Sequence, residues 1–167
     1  LVHIRTDMPP EELDWLIKNY NTQVINLHPP TTHPHLFDYS TYKKMIFLEN
    51  AGTLDEKEIK KWAGVCLDFS HLENYRRLHQ EKFARLKKLL AEYLIGCNHI
   101  SAVTGQIHTD ENGSQIYAAH QFEKLTEFDY LKNYPMSYFS PFIGLELENT
   151  LKEQLKVKDY ILKILNG

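Results

Sequence analysis

Cysteine, long apolar runs and net positive charge are all scarce in this sequence. Only two of the 167 residues are cysteines, and both lie within apolar runs, so Cys66 and Cys97 indicate buried thiols in a reducing compartment rather than a disulfide framework. No apolar stretch approaches the roughly 20 residues of a membrane span, and no charged-then-apolar leader opens the chain. We therefore expect a cytoplasmic protein without a membrane partner.

The charge balance bears on the kind of partner. The formal net charge is −3, whereas proteins that bind nucleic acid through its phosphates need a strong basic excess on one face. A small molecule is therefore a better default partner than nucleic acid. With 43% apolar and 25% charged residues, the chain has the composition of a folded globular domain.

Strand-like apolar runs alternate with amphipathic helix patterns along the whole chain. The strand-like runs lie at 1–5, 22–28, 45–49, 64–68, 95–99 and 142–146. Strands that alternate with helices in this way predict parallel βαβ units. The sequence therefore predicts a single α/β domain over residues 1–167, with six parallel strands.

Local signals predict where several helices and connections lie. The spacing of a capping box occurs at 53–56 and again at 150–153, so a helix is expected to begin at each. One long amphipathic helix is expected after the fourth strand, with its apolar residues at 83–93. Residues 110–113 are expected in a polar connection, and 122–131 in a further helix.

Four successive predicted strands end in a side chain of a type that binds metal ions. These side chains are Glu49, Asp68, His99 and Glu146. His71 follows three residues after the second of them, and His28 ends an earlier strand. The carboxyl ends of parallel strands meet at one end of a sheet or barrel, where α/β proteins keep their sites. The pattern therefore indicates a metal site.

The order of these strand ends resembles the xylose-isomerase-like TIM barrels, a superfamily that holds sugar isomerases and epimerases as well as endonuclease IV-type enzymes. The resemblance covers most of the chain from His28 to Asn149. It rests on Ile46-Phe-Leu-Glu49-Asn50, Asp68-Phe-Ser-His71, Cys97-Asn-His99-Ile-Ser101 and Ile143-Gly-Leu-Glu146. It implies a (β/α) TIM-type barrel with parallel strands.

The chain is short for such a barrel. Eight βα units need about 250 residues, so the 167 residues here correspond to about six. We expect that the first βα units precede Leu1 in a longer protein, or that the barrel is shortened and its open edge is covered by a partner chain, for example in a homo-oligomer.

The resemblance also implies roles for individual residues. It implies metal ligands at Glu49, Asp68, His99 and Glu146, catalytic bases at Glu49 and Glu146, and substrate contacts at His28, His71 and His120. Three carboxylates and one imidazole favour Mn²⁺ or Mg²⁺ and are compatible with Zn²⁺ or Co²⁺. The implied reaction is isomerisation or epimerisation of a small sugar or hydroxy-carbonyl substrate by proton transfer through an enediolate.

Two other functions stay open at this point. An abasic-site DNA endonuclease of the endonuclease IV type would share the fold, but the Asp-x-His that completes its metal cluster is represented here only by Ala118-Ala-His120. A degenerate, non-catalytic barrel is the other alternative. Many members carry an acid shortly after the strand-end histidine, where this chain has Ala102 and Val103.

The candidate residues also have ordinary structural explanations. Asp68 could cap the turn that follows it, and Glu49 and Glu146 could be solvated charges at the mouths of their strands. Glu148 lies on the same strand face as Glu146 and competes for its role. His3 has no partner in the sequence that singles it out.

Overall fold

Eight strands and five α-helices make up the fold in a computed structural model, which describes residues 1–110 and 113–166. The strands are β1 (Val2–His3), β2 (Ile25–Leu27), β3 (Ile46–Glu49), β4 (Gly64–Asp68), β5 (Ile95–Ile100), β6 (Ala102–Thr109), β7 (Gln115–Ala119) and β8 (Ile143–Leu145). Six of them form one parallel sheet in the order β1-β2-β3-β4-β5-β8. The predicted six-stranded parallel sheet is therefore confirmed.

Helices connect most of these strands. They are α1 (Pro10–Tyr20), α2 (Glu56–Ile59), α3 (Phe69–Leu78), α4 (Gln80–Glu92) and α5 (Leu151–Asn166). Short 3₁₀ helices lie at Ser40–Tyr42, Leu125–Asn133 and Met136–Tyr138. Among the helices described, none combines the length and the apolar character that crossing a bilayer requires. The fold is therefore of the predicted α/β class.

The main sheet curls strongly. Strands β1 and β5 are four places apart in the sheet order, which would separate them by about 19 Å in a flat sheet with strands about 4.8 Å apart. The ring centroids of His3 on β1 and His99 on β5 nevertheless lie only 5.2 Å apart. The six strands therefore form a curled half-barrel, which is compatible with part of a TIM-type barrel.

Alternate strand residues face two different cores. The larger core lies between the sheet and the helices and includes Ile25, Ile46, Leu48, Val65, Leu67 and Ile100. The smaller core is a cluster of Val24, Phe47, Cys66 and Cys97. Two residues further along the same strands lie Asn26, Glu49, Asp68 and His99. These polar side chains therefore share the face of the smaller core and form the layer nearest the strand ends.

A bulge at Gly96 brings β5 into phase with β4. Between two consecutive pairs of residues, β5 carries one residue more than β4, and that residue is Gly96. A Cβ atom at this position would overlap the ring of Phe47, so the strand needs glycine here. Because one extra residue reverses the facing of all later side chains, the bulge sets His99 on the same face as Asp68.

Two predicted helices differ from those in the structure. The single long helix expected after β4 is two helices, α3 and α4, because the backbone at His79 (φ −142°, ψ 72°) is not helical. The helix expected at 122–131 is a 3₁₀ helix at Leu125–Asn133. This helix begins after Lys124, whose backbone is extended and whose side chain makes no capping hydrogen bond. Tighter 3₁₀ turns are common in such connecting segments.

The two predicted capping boxes have different outcomes. At α5, the backbone N–H of Thr150 donates to Oε2 of Glu153 at 2.9 Å, and the prediction of a box at 150–153 is confirmed. The box predicted at 53–56 is wrong. Asp55 caps α2 instead, since its carboxylate accepts a hydrogen bond from the backbone N–H of Lys57 at 2.9 Å.

Strands β6 and β7 form an antiparallel hairpin that the sequence did not predict. The polar segment at 110–113 connects them, although Glu111 and Asn112 lie outside the described residues. The hairpin packs on α3, where the backbone N–H of Tyr117 donates to Oδ1 of Asn74 at 2.8 Å. The guanidinium of Arg77 lies 4.6 Å from the centre of the Tyr117 ring. The hairpin is therefore fixed to the helix that follows Asp68.

Candidate metal centre

Glu49 is the central residue of the candidate site. It is the last residue of β3 and is only 1% exposed. Its Oε2 atom accepts a hydrogen bond from Nδ2 of Asn26 at 2.6 Å and lies 3.3 Å from Nε2 of His28 and 3.2 Å from Nδ1 of His99. Its Oε1 atom lies 3.8 Å from Nε2 of His71. Three imidazoles therefore surround one buried carboxylate.

Four side chains form what we call the first ligand group: His3, Glu49, His99 and Glu146. One ligand atom of each lies within 4.8 Å of the ligand atoms of the others. Oε1 of Glu146 lies 2.7 Å from Nδ1 of His99 and 3.5 Å from Nδ1 of His3. These residues come from β1, β3, β5 and the end of β8, so the curl of the sheet creates the group.

The second ligand group consists of Glu49, Asp68 and His71. Asp68 is the N-cap of α3, since its Oδ1 atom accepts hydrogen bonds from the backbone N–H of His71 at 2.8 Å and from the hydroxyl of Ser70 at 2.7 Å. The capping explanation of Asp68 is therefore confirmed. Its Oδ2 atom is buried and has no hydrogen-bond partner among the described residues, and burial raises the pKa of this carboxyl group.

The distances in the first ligand group fit the coordination of one cation. Ligand atoms about 2.1 Å from a metal ion are about 3.0 Å apart in octahedral geometry and about 3.4 Å apart in tetrahedral geometry. The contacts of 2.7, 3.2 and 3.5 Å between His99, Glu49, Glu146 and His3 bracket these values. Nδ1 of His99 is buried, and neither neighbouring carboxylate oxygen lies in the direction of a hydrogen bond. The residues present therefore fit a metal ion.

The charges of the first ligand group also favour a cation. Burial would lower the pKa of His99, but the carboxylates of Glu146 and Glu49 raise it to about 11. Burial would raise the pKa of the two carboxyl groups, but the neighbouring histidines hold that of Glu146 at about 2 and that of Glu49 well below its usual range. The proton on His99 thus supplies positive charge beside two carboxylates, and a divalent cation bound at Nδ1 would displace that proton and balance the carboxylates in its place.

Most of the predicted site residues gather at this end of the sheet. The structure brings together Glu49, Asp68, His99, Glu146, His28 and His71. It differs from the expected single set in two respects: Asp68 belongs to the second ligand group, and His3 takes a place in the first. The competing residue Glu148 is exposed and belongs to neither group among the described residues.

His120 lies apart from the other predicted residues. It is exposed on the bend after β7, and its backbone carbonyl accepts a hydrogen bond from the N–H of Glu148 at 2.7 Å. Among the described residues it belongs to neither ligand group. The structure therefore gives no support to the predicted substrate contact of His120.

His3 is the site residue that sequence reasoning missed. It is the last residue of β1, and its Nδ1 atom faces Glu146. A signal was present, because the strand-like run at 1–5 contains an imidazole, as does the run that ends at His28. What the sequence did not show is that curling brings β1 against β5 and β8.

A cavity of about 360 Å³ adjoins the first ligand group. It lies over the ends of β1 and β2 and is lined in part by His3, which contacts Glu146, and by His28, which contacts Glu49. This volume is within the range of about 300–1,000 Å³ that is usual for small-molecule sites. The cavity is therefore a candidate place for a substrate beside the metal centre.

Searches against protein-family models, curated proteins and solved structures give no match to this chain. The resemblance to xylose-isomerase-like barrels thus stays a prediction from the strand-end motifs. Function is therefore inferred from the geometry of the two ligand groups and the cavity.

Proposed function

We propose that the protein is a metal-dependent isomerase or epimerase that acts on a small sugar-like substrate. The observation that carries this proposal is the contact of Nδ1 of His99 with the carboxylates of both Glu49 and Glu146, beside a cavity of small-molecule size. The half-barrel is compatible with the barrel that the strand-end motifs resemble. The first ligand group is the place proposed for the cation.

The ligand set of this group refines the choice of metal. Two carboxylates and two imidazoles form a mixed oxygen and nitrogen set. Mg²⁺ prefers oxygen ligands and water, whereas imidazole suits Mn²⁺, Zn²⁺ and Co²⁺ as well. The sequence-based preference for Mn²⁺ or Mg²⁺ assumed only one imidazole. We therefore propose Mn²⁺, Zn²⁺ or Co²⁺ ahead of Mg²⁺.

The two glutamates differ in what they can do. Bound next to a substrate carbonyl, the cation would polarise it and stabilise the negative charge left when the neighbouring proton departs. The side chain of Glu146 is 25% exposed, so it is the carboxylate that a substrate can reach. Glu49 is buried and held by Asn26, so it is suited to bind the metal rather than to exchange protons. We assign the substrate base to Glu146 and the ligand role to Glu49.

The experiment measures metal content and proton exchange together. The purified chain is loaded with Mn²⁺, Zn²⁺ or Co²⁺, and the incorporation of deuterium from D₂O next to the carbonyl of aldoses, ketoses and hydroxy-carbonyl compounds is followed by NMR. We expect metal-dependent incorporation that Glu146→Gln abolishes, and loss of bound metal in the double variant Glu49→Gln, His99→Ala. Glu148→Gln is the matched control, because Glu148 is exposed and lies outside both ligand groups.

Two outcomes would reject the proposed function. Equal metal content in the wild type and in the double variant of Glu49 and His99 would remove the metal centre. Stoichiometric metal without deuterium incorporation into any of these substrates would leave the centre in place and reject the isomerase chemistry. The second outcome would favour the non-catalytic alternative or the hydrolytic one below.

A second candidate function is hydrolysis of a phosphodiester, as in the abasic-site endonucleases. The observation that favours it is that the two ligand groups share Glu49, with Oε2 facing His99 and Oε1 facing His71. A bridging carboxylate is compatible with two ions about 3.5–4 Å apart, an arrangement found in phosphatases and nucleases. Binding of two ions per chain, together with nicking of an abasic-site duplex, would establish this function over isomerisation.

A further inference from the structure

The cavity beside the first ligand group has a lining whose polar atoms are largely engaged by the protein itself. Nε2 of His35 lies 2.8 Å from the carbonyl oxygen of His28, and the hydroxyl of Tyr39 donates to the carbonyl oxygen of Met8 at 2.8 Å. These bonds hold the two side chains in the wall of the cavity. They also remove two polar atoms that a hydroxylated ligand would need.

The charged and imidazole groups of the lining are engaged in the same way. Arg5 donates to the carboxylate of Asp7 at 3.1 Å and to both oxygens of Glu12 at 3.0 and 3.1 Å. His3 and His28 direct one ring nitrogen each towards the carboxylates of the metal centre. Arg5, His35, Tyr39 and one ring nitrogen each of His3 and His28 are therefore paired before a ligand arrives.

What the lining offers is mostly carbon and flat rings. Ile4, Leu27 and Tyr39 are only 2–4% exposed and form the apolar base of the cavity where it meets the main core. The ring of His33 stacks on that of His28, with centroids 4.3 Å apart and planes inclined by 28°. His33 is exposed, so its ring is accessible to a ligand. The pair presents a flat surface at the edge of the metal centre.

We infer that this cavity binds an apolar, planar ring of the substrate, which stacks against His33 while the polar, reacting end lies at the metal centre. The inference rests on the proposed function for the reacting end, and it narrows the substrate class to a sugar-like group that carries an aromatic or heteroaromatic ring. Sugar hydroxyls in this cavity would lose water without gaining enough partners, which is unfavourable. A flat ring gives up little hydration on entering the cavity, because its apolar face can stack on another ring.

The test uses the intact chain without metal and indole as the probe. Indole is a planar ring without a strong metal-binding atom, and the signals of the histidine rings are followed by NMR as it is added. We expect saturable shifts of the His33 and His28 signals. We also expect about tenfold weaker binding in His33→Ala, since one stacked ring contributes about that factor or more, and near wild-type binding in His33→Phe, which keeps a flat ring.

Two controls make the result specific. His108→Ala removes an exposed histidine of β6, outside the cavity lining, and should leave indole binding unchanged. The cyclic polyol myo-inositol should cause no saturable shift at the same concentrations. Absence of saturable indole binding, equal binding in His33→Ala, or equal binding of myo-inositol would each overturn the inference. Because the protein is metal-free in this test, its failure is distinct from a failure of the metal centre.

Discussion

Replacement of Asn26 by alanine should weaken metal binding without removing a ligand. Asn26 lies on β2, and its side chain donates to Oε2 of Glu49 at 2.6 Å, in a fully buried position. That oxygen is the one that faces His99. In Asn26→Ala, Glu49 keeps its charge but loses the group that fixes its orientation.

The size of the effect can be derived in two ways. A hydrogen bond to a charged group contributes about 1.5–3 kcal/mol, which corresponds to a change of about 10- to 150-fold in a binding constant. Loss of an outer partner of a metal ligand is typically a change of about 10- to 100-fold in metal affinity. Both estimates agree, so we expect the dissociation constant for Zn²⁺ or Mn²⁺ to rise by about 10- to 100-fold.

The assay is competition with a chromophoric chelator at constant pH. Asn74→Ala is the matched control, because Asn74 is a buried asparagine that accepts a hydrogen bond from the hairpin and lies outside both ligand groups. Its metal affinity should be that of the wild type. A folded Asn26→Ala variant that binds metal as tightly as the wild type would refute the reasoning, since Glu49 would then not depend on its partner.

Three further predictions concern a ligand, the bulge and a buried carboxylate. His3→Ala should leave the protein folded and weaken metal binding at least about tenfold, because one of four ligands is lost. Gly96→Ala should lower the free energy of unfolding by about 1–3 kcal/mol, because the added methyl group overlaps Phe47. Glu73 is buried and paired with the partly exposed Arg76 and Arg77, and Glu73→Gln should cost about 1.5–3 kcal/mol at neutral pH, the contribution of a hydrogen bond to a charged group.

The pH dependence gives Glu73 a second test. Burial would raise the pKa of this carboxyl group, but Arg76, Tyr134 and Arg77 lower it below its ordinary value. A lowered pKa means that the stabilisation is complete above about pH 5 and is lost as the pH falls below about 4.3 towards the folded-state pKa. The free energy of unfolding, measured with urea, should therefore fall less steeply with decreasing pH in Glu73→Gln than in the wild type. An equal decline would contradict the assignment.

A second-site variant tests the prediction for Gly96, and a distant histidine is the control for His3. In the double variant Gly96→Ala, Phe47→Leu, the smaller side chain at position 47 should recover part of the stability that Gly96→Ala loses. No recovery would show that the Phe47 ring does not obstruct a methyl group at position 96. Metal binding that is unchanged in His3→Ala would remove that residue from the first ligand group. The control for His3→Ala is His79→Ala, which changes an exposed histidine at the junction of α3 and α4.

The sequence was sufficient to predict the parallel sheet, because hydrophobic periodicity and the local signals that end strands and begin helices determine it. Alternating strand and helix patterns predicted six strands, and the strand ends predicted that Glu49, His99 and Glu146 would meet. Parallel strands point the same way, so their last inward residues must lie at one end of the sheet. That they lie close enough to form one ligand group also requires the curl, because β3 and β8 are three places apart in the sheet order.

Features that depend on three-dimensional closure or on local competition were not predictable in the same way. His3 joins the group only because β1 approaches β5, at a distance that no sequence pattern encodes. Asp68 leaves the expected set because a short carboxylate before a helix is also its best cap, and it accepts a hydrogen bond from the backbone N–H of His71. The segments that form β6 and β7 mix apolar and polar residues, so the sequence indicated a polar connection there rather than a hairpin.

X-ray absorption spectroscopy of the chain loaded with one equivalent of Zn²⁺ tests the metal centre most directly. The first ligand group predicts only nitrogen and oxygen neighbours at about 2.0–2.2 Å, with the outer-shell scattering of imidazole rings, and loss of that imidazole signal in His99→Ala. The competing soft ligands are the buried thiols of Cys66 and Cys97. A zinc–sulfur distance of about 2.3 Å, or a failure to bind one equivalent of metal, would contradict the account.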